Sequence, residues 1–282
     1  MSNRRFKRIL NEIKELQNSS ELFDENGIHF HYDDDKMDIL YLMIMGPKDS
    51  PYELGFYFFI LEYPENYPMT PPKVTYQTQG LLPLYSKKKT ALTYFQVRFN
   101  PNLYTNGKVC LSMLNTWAGP GWVPTNTVTN ILVAIQALVL NDEPMRNEPG
   151  FEHSSEQEIR NYNLIIQYAN LKVAILDQIK LKNLGKFECF REKINSLFIN
   201  NYSKISNLID QFQPIDKDII QSPAYGMIFQ LDYENLKNYS RIMYYKLLLQ
   251  NQIKSSKKKD DKNDDNVEIN NIIENSSKKI SA

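Results

Sequence analysis

Hydrophobic residues recur at helical spacing at the start of the chain. Over residues 3–17 one face of the predicted helix is apolar, and basic residues lie mostly on the other face. The apolar positions are Phe6, Ile9, Leu10, Ile13 and Leu16. The basic positions are Arg4, Arg5, Lys7, Arg8 and Lys14. Taken alone, such a pattern is typical of a solvated helix face.

Short apolar and aromatic runs follow this helix, each bounded by turn residues. They are GIHFHYD (27–33), ILYLMIMG (39–46), LGFYFFILEYP (54–64) and PKVTYQT (72–78). Their lengths and their β-branched or aromatic content predict an antiparallel meander. The segment YPENYPMTPPKV (63–74) is too rich in proline to be a central strand.

Helical periodicity returns in the second half of the chain. The predicted helices cover residues 124–140, about 155–182, about 186–212 and about 231–253. Helix, strands, an irregular stretch and then helices make an α+β domain with helices segregated from the sheet. Residues 254–282 carry mixed charge with much Asn and Ser, which predicts a disordered tail.

The charge balance of the chain argues against two classes of partner. Lys and Arg together number 33, as do Asp and Glu, so the 282-residue chain has a formal net charge of zero. Neutrality gives no reason to expect nucleic acid or an anionic membrane as the main partner.

Two further features bear on location. The start, MSNRRFKRILNEIKEL, is charged throughout, unlike a signal peptide, and the chain has no apolar run long enough to span a bilayer. Two cysteines in a chain of this length are not a disulfide framework. We therefore expect a cytoplasmic and/or nuclear protein.

One of the two cysteines follows a polar, turn-forming stretch. Cys110 stands in FNPNLYTNGKVCLSMLNTW (99–117), which contains no histidine to act as the base that a nucleophilic cysteine usually has. The chain has His29, His31 and His153, and the first two lie in a predicted strand, where we expect a structural role.

Four stretches, in this order, resemble those of ubiquitin-conjugating (E2) enzymes. They are IMGPKDSPYELGFYFF (44–59), YPENYPMTPPKV (63–74), RFNPNLYTNGKVCLSML (98–114) and the Trp-x-Pro segment 122–124 that opens a helix. The class Z subfamily is the most similar. Its likeness extends to TWAGPGW (116–122), NEPGFE (147–152) and YNLIIQYANLKVAILDQI (162–179).

The resemblance implies a ubiquitin-conjugating (UBC) fold for residues 1–155, with an N-terminal helix, a four-stranded antiparallel meander and C-terminal helices. Residues 156–253 would form a helical C-terminal extension, followed by the tail 254–282.

The resemblance also implies a catalytic role for Cys110. In these enzymes the cysteine takes an already activated ubiquitin as a thioester, and thiol–thioester exchange needs no adjacent imidazole. By the same resemblance Asn102 is the amide donor that steadies the oxyanion when a lysine attacks. Asn100 and Pro101 complete the motif, and Asn100 replaces the usual histidine as a structural hydrogen-bonding residue. No cofactor or metal is implied, since ATP is used by the E1.

The attacking lysine must lose a proton, and many E2 enzymes place an acidic or polar residue for this after the helix that follows the cysteine. Glu148 and Asn147 are the candidates here, with Asp142 and Glu143 behind them. The alternative, a merely solvated loop, stays open.

Partner surfaces follow from the same resemblance. Lys7 and Arg8 match basic positions of the helix that docks on the E1. Tyr63, within residues 63–68, and the loop of Trp122 and Pro124 match the two E3-binding loops, although Trp122 is equally suited to the core. The expected partners are an E1, ubiquitin or a ubiquitin-like modifier, an E3 and protein substrates.

Three other features are interpreted more plainly. Trp117 is expected to cap the core, and Cys189 to be an inert small apolar residue. The connection 79–96 is longer than the one that usually leads into the corresponding motif of E2 enzymes. Such long connections are often functional or disordered.

Two rival functions remain. One is a catalytically silent E2-like scaffold or binding module. The other is a cysteine hydrolase, for which His153 is the one histidine after Cys110, without a family signature around it.

Overall fold

A computed structural model describes residues 3–83 and 94–253. The helices are α1 (Asn3–Asn18), α2 (Ser20–Glu25), α3 (Val128–Ala134), α4 (Glu156–Ala169), α5 (Gln178–Lys180), α6 (Arg191–Asn200), α7 (Tyr202–Asp210) and α8 (233–253). The strands are β1 (Ile28–His31), β2 (Ile39–Met45), β3 (Phe56–Glu62), β4 (Lys73–Tyr76), β5 (Leu81–Pro83), β6 (Tyr94–Gln96), β7 (Ile219–Gln221) and β8 (Ile228–Gln230).

The first four strands form one antiparallel sheet in the order β1-β2-β3-β4. In its centre Leu42 pairs with Phe59 and Met43 with Phe58. Together with α1 and the later helices, this sheet confirms the predicted α+β class and the four-stranded meander.

The C-terminal half of the chain packs against this sheet. Phe187, in the 3₁₀ turn Gly185–Phe190, stacks on Phe58 with ring centroids 4.7 Å apart and meets Tyr41 edge-on at 6.0 Å. The buried residues of the segment 156–253 belong to the same hydrophobic core as the sheet. The central strands of the sheet, β2 and β3, have near-continuous apolar runs, which are typical of strands buried on both faces.

Glu12 joins α1 to the start of α3. Its buried carboxylate accepts hydrogen bonds from Tyr67 Oη at 2.6 Å, Arg8 Nε at 2.7 Å and the Val128 backbone N–H at 2.9 Å. A negative charge at a helix N-terminus is favourable because it meets unpaired N–H groups.

The helix limits differ from the prediction in two places. α3 begins at Val128 rather than at residue 124, because Thr127 and Asn130 form a capping box there. The predicted helix 186–212 is divided at Asn201 into α6 and α7. The helix predicted from about 155 does begin after Ser155, which caps α4, and it continues through a π-helical segment, Asn170–Asp177, into α5.

Two hairpins were not predicted. β5 and β6 pair at the two ends of the long connection 79–96, so those ends are ordered, and residues 84–93 lie outside the described residues. β7 and β8 form a second hairpin just before α8.

The last helix is only partly buried. Met243 and Leu247 of α8 are buried, whereas Ile242, Tyr245 and Leu249 are exposed. The tail 254–282, predicted to be disordered, lies outside the described residues. Within residues 3–83 and 94–253, no helix combines the length and apolar character needed to cross a membrane.

Candidate active site

The stretch before Cys110 folds back on itself in a tight turn. Leu103 pairs with Val109, and Tyr104 and Lys108 are joined by a backbone hydrogen bond of 2.9 Å. Gly107 makes the turn, with φ of +90°. A Cβ at this position would lie 2.8 Å from Cγ2 of Thr75, so the glycine also permits close approach to β4. Cys110 is thereby brought beside Asn102.

Asn102 contacts the main chain of Cys110 in two places. The Cys110 N–H donates to the Asn102 carbonyl at 2.8 Å, and the Asn102 side-chain Nδ2 donates to the Cys110 carbonyl at 2.9 Å. Oδ1 of Asn102 is buried without a hydrogen-bond partner among the residues that the structure describes. The side-chain amide therefore lies at the cysteine, with one of its two N–H donors bonded to the main chain.

Asn100 is fully buried behind this pair. Its Nδ2 donates to Tyr52 Oη at 2.9 Å and to the Val139 carbonyl at 2.5 Å, and its Oδ1 accepts from the Asn102 N–H at 2.7 Å. Both ends of one amide are used, which requires a side chain with donors and an acceptor. Pro101 accepts from Arg98 NH2 through its carbonyl at 2.7 Å.

The segment after the cysteine is tied down locally. Thr116 Oγ1 donates to the Val109 carbonyl at 2.7 Å and accepts from the Leu111 N–H at 2.9 Å. Asn115 Oδ1 accepts from the Trp122 N–H at 2.9 Å. The Cys110 residue is only 1% exposed, so the segments around it cover the thiol.

The four residues proposed to serve the incoming lysine lie after α3. Asn147 Nδ2 donates to the Leu138 carbonyl at 3.2 Å, and Glu143 Oε2 accepts from Arg146 at 2.5 Å. The main-chain carbonyl of Asp142 accepts from α4. Glu148 accepts a hydrogen bond from the Tyr225 hydroxyl, which comes from the C-terminal extension. These contacts run to neighbours other than Cys110 and Asn102.

The two basic residues expected to dock an E1 differ in their surroundings. Lys7 is exposed on α1. Arg8 instead donates to Glu12, to the Pro124 carbonyl at 3.1 Å and to the Asn126 carbonyl at 2.7 Å. Arg8 is thus a structural cross-link, and Lys7 is the basic residue left for a partner.

The solvated basic face predicted for α1 is also wrong at Arg5. This residue is buried and donates to the carbonyl groups of Tyr63 and Pro64, each at 2.7 Å. Periodicity marked the position as basic and could not show that a neighbouring loop folds over it.

The two loops assigned to an E3 are partly inward-facing. Tyr63 is only 4% exposed, so in this conformation its side chain offers little surface to a partner. Trp122 is buried, and its Nε1 donates to the Pro68 carbonyl at 2.7 Å, while Pro124 is exposed. Sequence reasoning missed two exposed apolar side chains: Met69, at 66%, directly follows residues 63–68, and Val123, at 50%, lies between Trp122 and Pro124.

Three expectations about other residues need revision or detail. Trp117 is 41% exposed, so its assignment to the core is wrong. Cys189 is exposed rather than packed with its apolar neighbours, although desolvation raises the pKa of its thiol to about 11. His29 is buried on β1, with Nδ1 2.6 Å from Asp24 Oδ1, and His31 on the same strand is exposed at its side chain and lies 3.4 Å from Asp33.

Metal binding has no evident site in the part of the chain that the structure describes. There, no group of three or more His, Cys, Asp or Glu side chains is arranged to hold an ion.

Comparison with known proteins identifies the family of this chain. The family model described as ubiquitin-conjugating enzyme matches residues 8–169, more than half of the chain. The chain belongs to the ubiquitin-conjugating enzyme family. The matched residues include α4, which ends at Ala169.

Curated relatives support the class Z likeness. The human ubiquitin-conjugating enzyme E2 Z is 40% identical over 151 residues, which are 53% of this chain and 38% of that protein. The probable ubiquitin-conjugating enzyme protein 17 of Caenorhabditis elegans is 39% identical over 184 residues, 62% of this chain and 24% of that protein. The mouse dual E2 ubiquitin-conjugating enzyme/E3 ubiquitin-protein ligase BIRC6 is 36% identical over 226 residues, 77% of this chain and 4% of that protein. The chain spans less than half the length of each of these relatives.

Proposed function

We propose that the protein is an E2 that accepts ubiquitin, or a ubiquitin-like modifier, from an E1 as a thioester on Cys110. It then passes the modifier to a substrate lysine, usually with an E3. The observation that carries this proposal is the pair of hydrogen bonds, 2.8 and 2.9 Å, between Asn102 and the main chain of Cys110. They hold a side-chain amide donor at the cysteine that the family motif assigns to the reaction.

The first step is an exchange between two thiols. The Cys110 thiolate attacks the carbonyl carbon of the E1-bound thioester, and a tetrahedral oxyanion forms. Its collapse breaks the carbon–sulfur bond to the E1 cysteine, which leaves as a thiolate. Because the carbonyl is already activated, no base is needed beside Cys110 beyond what deprotonates the thiol.

The second step is aminolysis. A neutral lysine amine attacks the Cys110 thioester, the new carbon–nitrogen bond forms, and the Cys110 thiolate leaves. The amine proton passes to a base, for which Glu148 is our proposal, or to water. To stabilise the oxyanion, the Asn102 amide must direct an N–H toward the thioester oxygen, and its Nδ2 carries a second N–H besides the one donated to the Cys110 carbonyl.

The partner surfaces are proposed from side chains that are exposed in this conformation. Lys7 on α1 is the E1 contact. For the E3, we propose the exposed side chains of Met69 and Val123, together with Pro124. ATP is consumed by the E1, and we propose no cofactor or metal for this chain.

One observation favours a second function. The thiol of Cys110 is almost fully covered, and a buried cysteine is usually inert. A catalytically silent E2-like binding module would have no need to expose it. For the E2 proposal, the segments around Cys110 must move when the E1 binds.

Incubation with E1, ubiquitin and ATP separates the possibilities. We expect a band shift on a non-reducing gel that thiol abolishes, which supports an E2. No shift with ubiquitin and ubiquitin-like modifiers, each paired with its own E1, supports the binding module. Hydrolysis of a ubiquitin ester without E1 supports the cysteine hydrolase.

A further inference from the structure

A tyrosine of the C-terminal extension occupies a strained backbone position. Tyr225 lies in the turn between β7 and β8, with φ of 64°, and is followed by Gly226 with φ of 62°. A left-handed conformation is unfavourable for a residue other than glycine. Such strain persists where the surrounding structure enforces it and often marks a functional site. The turn is enforced by a hydrogen bond of 2.9 Å from the Ser222 N–H to the Met227 carbonyl.

The hydroxyl group of Tyr225 reaches across to the E2 core. It donates a hydrogen bond to Oε2 of Glu148, the acid that follows α3. Desolvation, and then the bond to Glu148, raise the pKa of Tyr225 above its usual value. The raised pKa keeps the phenol protonated, and so a donor, at neutral pH. Oε1 of Glu148 makes no hydrogen bond within the part of the chain that the structure describes, so we assign the proton acceptor role to this oxygen.

The ring of Tyr225 faces a second residue of the core. The Arg98 guanidinium lies 5.1 Å from the Tyr225 ring centroid and 3.7 Å from that of Tyr104, distances typical of cation–π contacts. Arg98 Nε donates to the Asn100 carbonyl at 3.1 Å, and NH2 donates to the Pro101 carbonyl at 2.7 Å.

Tyr225 thus connects two parts of the site that, among the residues the structure describes, share no direct hydrogen bond. One branch ends at Glu148. The other runs through Arg98 to the carbonyl groups of Asn100 and Pro101, directly ahead of Asn102. Tyr162 of α4 supports the same cluster, because its hydroxyl donates to the Arg98 carbonyl at 3.1 Å and its ring lies 6.5 Å from Tyr225.

We infer that Tyr225 is a positioning residue of the aminolysis step, so that the C-terminal extension completes the E2 active site. It fixes the Glu148 carboxylate that takes the lysine proton, and through Arg98 it steadies the segment that carries Asn102. This inference rests on the proposed function, because it assigns Tyr225 a part in discharging the Cys110 thioester.

The first test removes the hydroxyl alone. Tyr225→Phe keeps the ring beside Arg98 and loses the hydrogen bond to Glu148. In single-turnover discharge of preloaded protein to free lysine, we expect the maximal rate to fall roughly tenfold to a hundredfold, the scale expected for a misplaced catalytic group. The lysine concentration at half-maximal rate and the rate of charging by E1 should change little.

The matched control is another tyrosine of the extension. Tyr233 donates to Asp210 Oδ1 at 2.8 Å, the same kind of tyrosine–carboxylate bond placed in the extension itself. Tyr233→Phe should leave the rate of discharge to lysine unchanged when it is compared at the same concentration of folded protein. Melting curves of both variants allow each rate to be expressed per folded molecule.

The second test asks whether the effect acts through Glu148. Tyr225→Phe is repeated together with Glu148→Gln, and we expect little further loss in the double variant, since the proton acceptor is already gone. Tyr225→Leu, which also removes the ring from Arg98, should discharge more slowly than Tyr225→Phe.

Several results would overturn the inference. If Tyr225→Phe charges normally and discharges to lysine at the rate of the unaltered protein, Tyr225 has no part in the reaction, and the proposed function is unaffected. Equal losses with and without Glu148→Gln would make the effect structural. Failure of the unaltered protein to charge at Cys110 would refute the proposed function itself, and the inference with it.

Discussion

Asn102 encloses the main chain of Cys110, accepting from its N–H at 2.8 Å and donating to its carbonyl at 2.9 Å. The backbone of Asn102 is held in turn, because its N–H donates to Asn100 Oδ1 at 2.7 Å. Asn100 thus holds the backbone of Asn102, and Asn102 contacts the cysteine. The two residues therefore make separable predictions.

Asn102→Ala is expected to slow aminolysis. If the amide stabilises the oxyanion, its loss should lower the single-turnover rate of discharge to lysine roughly a hundredfold or more. Asn102→Asp, similar in size but without the donor, should be impaired at least as much. A variant that melts early yet discharges at the normal rate per folded molecule would make the role of Asn102 structural.

Asn100 is expected to act on stability first. Asn100→Ala removes the donor to the Val139 carbonyl and the acceptor of the Asn102 N–H, which should lower the free energy of unfolding by about 1–3 kcal/mol. Asn100→His, the commoner family residue, should fold and retain substantial activity. Chemical denaturation paired with the discharge assay checks this. Full stability in Asn100→Ala would contradict it.

Lys7 and Arg8 are expected to separate docking from folding. Lys7→Glu should slow charging by E1 without lowering the melting temperature, and discharge of preloaded protein should be unaffected. Arg8→Ala should lower the free energy of unfolding by about 1.5–3 kcal/mol, since it removes charged hydrogen bonds. Lys14→Glu, another exposed position of α1, is the charge control. If Lys14→Glu slows charging as much as Lys7→Glu does, the effect is general charge rather than a docking contact.

His29 is expected to make stability depend on pH. Desolvation lowers the pKa of the buried His29 below the value of about 6.5 that an unfolded chain would have. Between the two pKa values the unfolded chain binds more protons, so this stabilisation is present above pH 6.5 and is lost as pH falls through the folded pKa. Unfolding curves at pH 5, 6 and 7 should show a smaller fall for His29→Gln than for the unaltered protein. An equal fall in both proteins would contradict this assignment to His29.

The sheet was readable from the sequence because β2 and β3 are apolar runs bounded by turn residues. The same holds for α4, whose capping serine, Ser155, precedes a periodic pattern. These features are local. The hairpin of β7 and β8 was missed because each strand has only three residues, too few to show alternation.

The candidate site divides in the same way. Cys110, Asn102 and Asn100 lie within eleven residues of each other and share one motif, so the sequence could identify them. Tyr225 meets Glu148 across 77 positions of the chain, and no local pattern reveals such a contact. Burial was the other limit, because the same basic pattern on α1 contains Arg5, which is covered, and Lys7, which is not.

The central claim is that Cys110 carries the modifier. Charging with E1, ubiquitin and ATP should give Cys110→Ser a product that resists thiol, because an oxyester replaces the thioester, while Cys189→Ala should charge normally. Mass spectrometry of the charged protein should find the modifier attached at residue 110. Charging that survives in Cys110→Ala and disappears in Cys189→Ala would contradict the account.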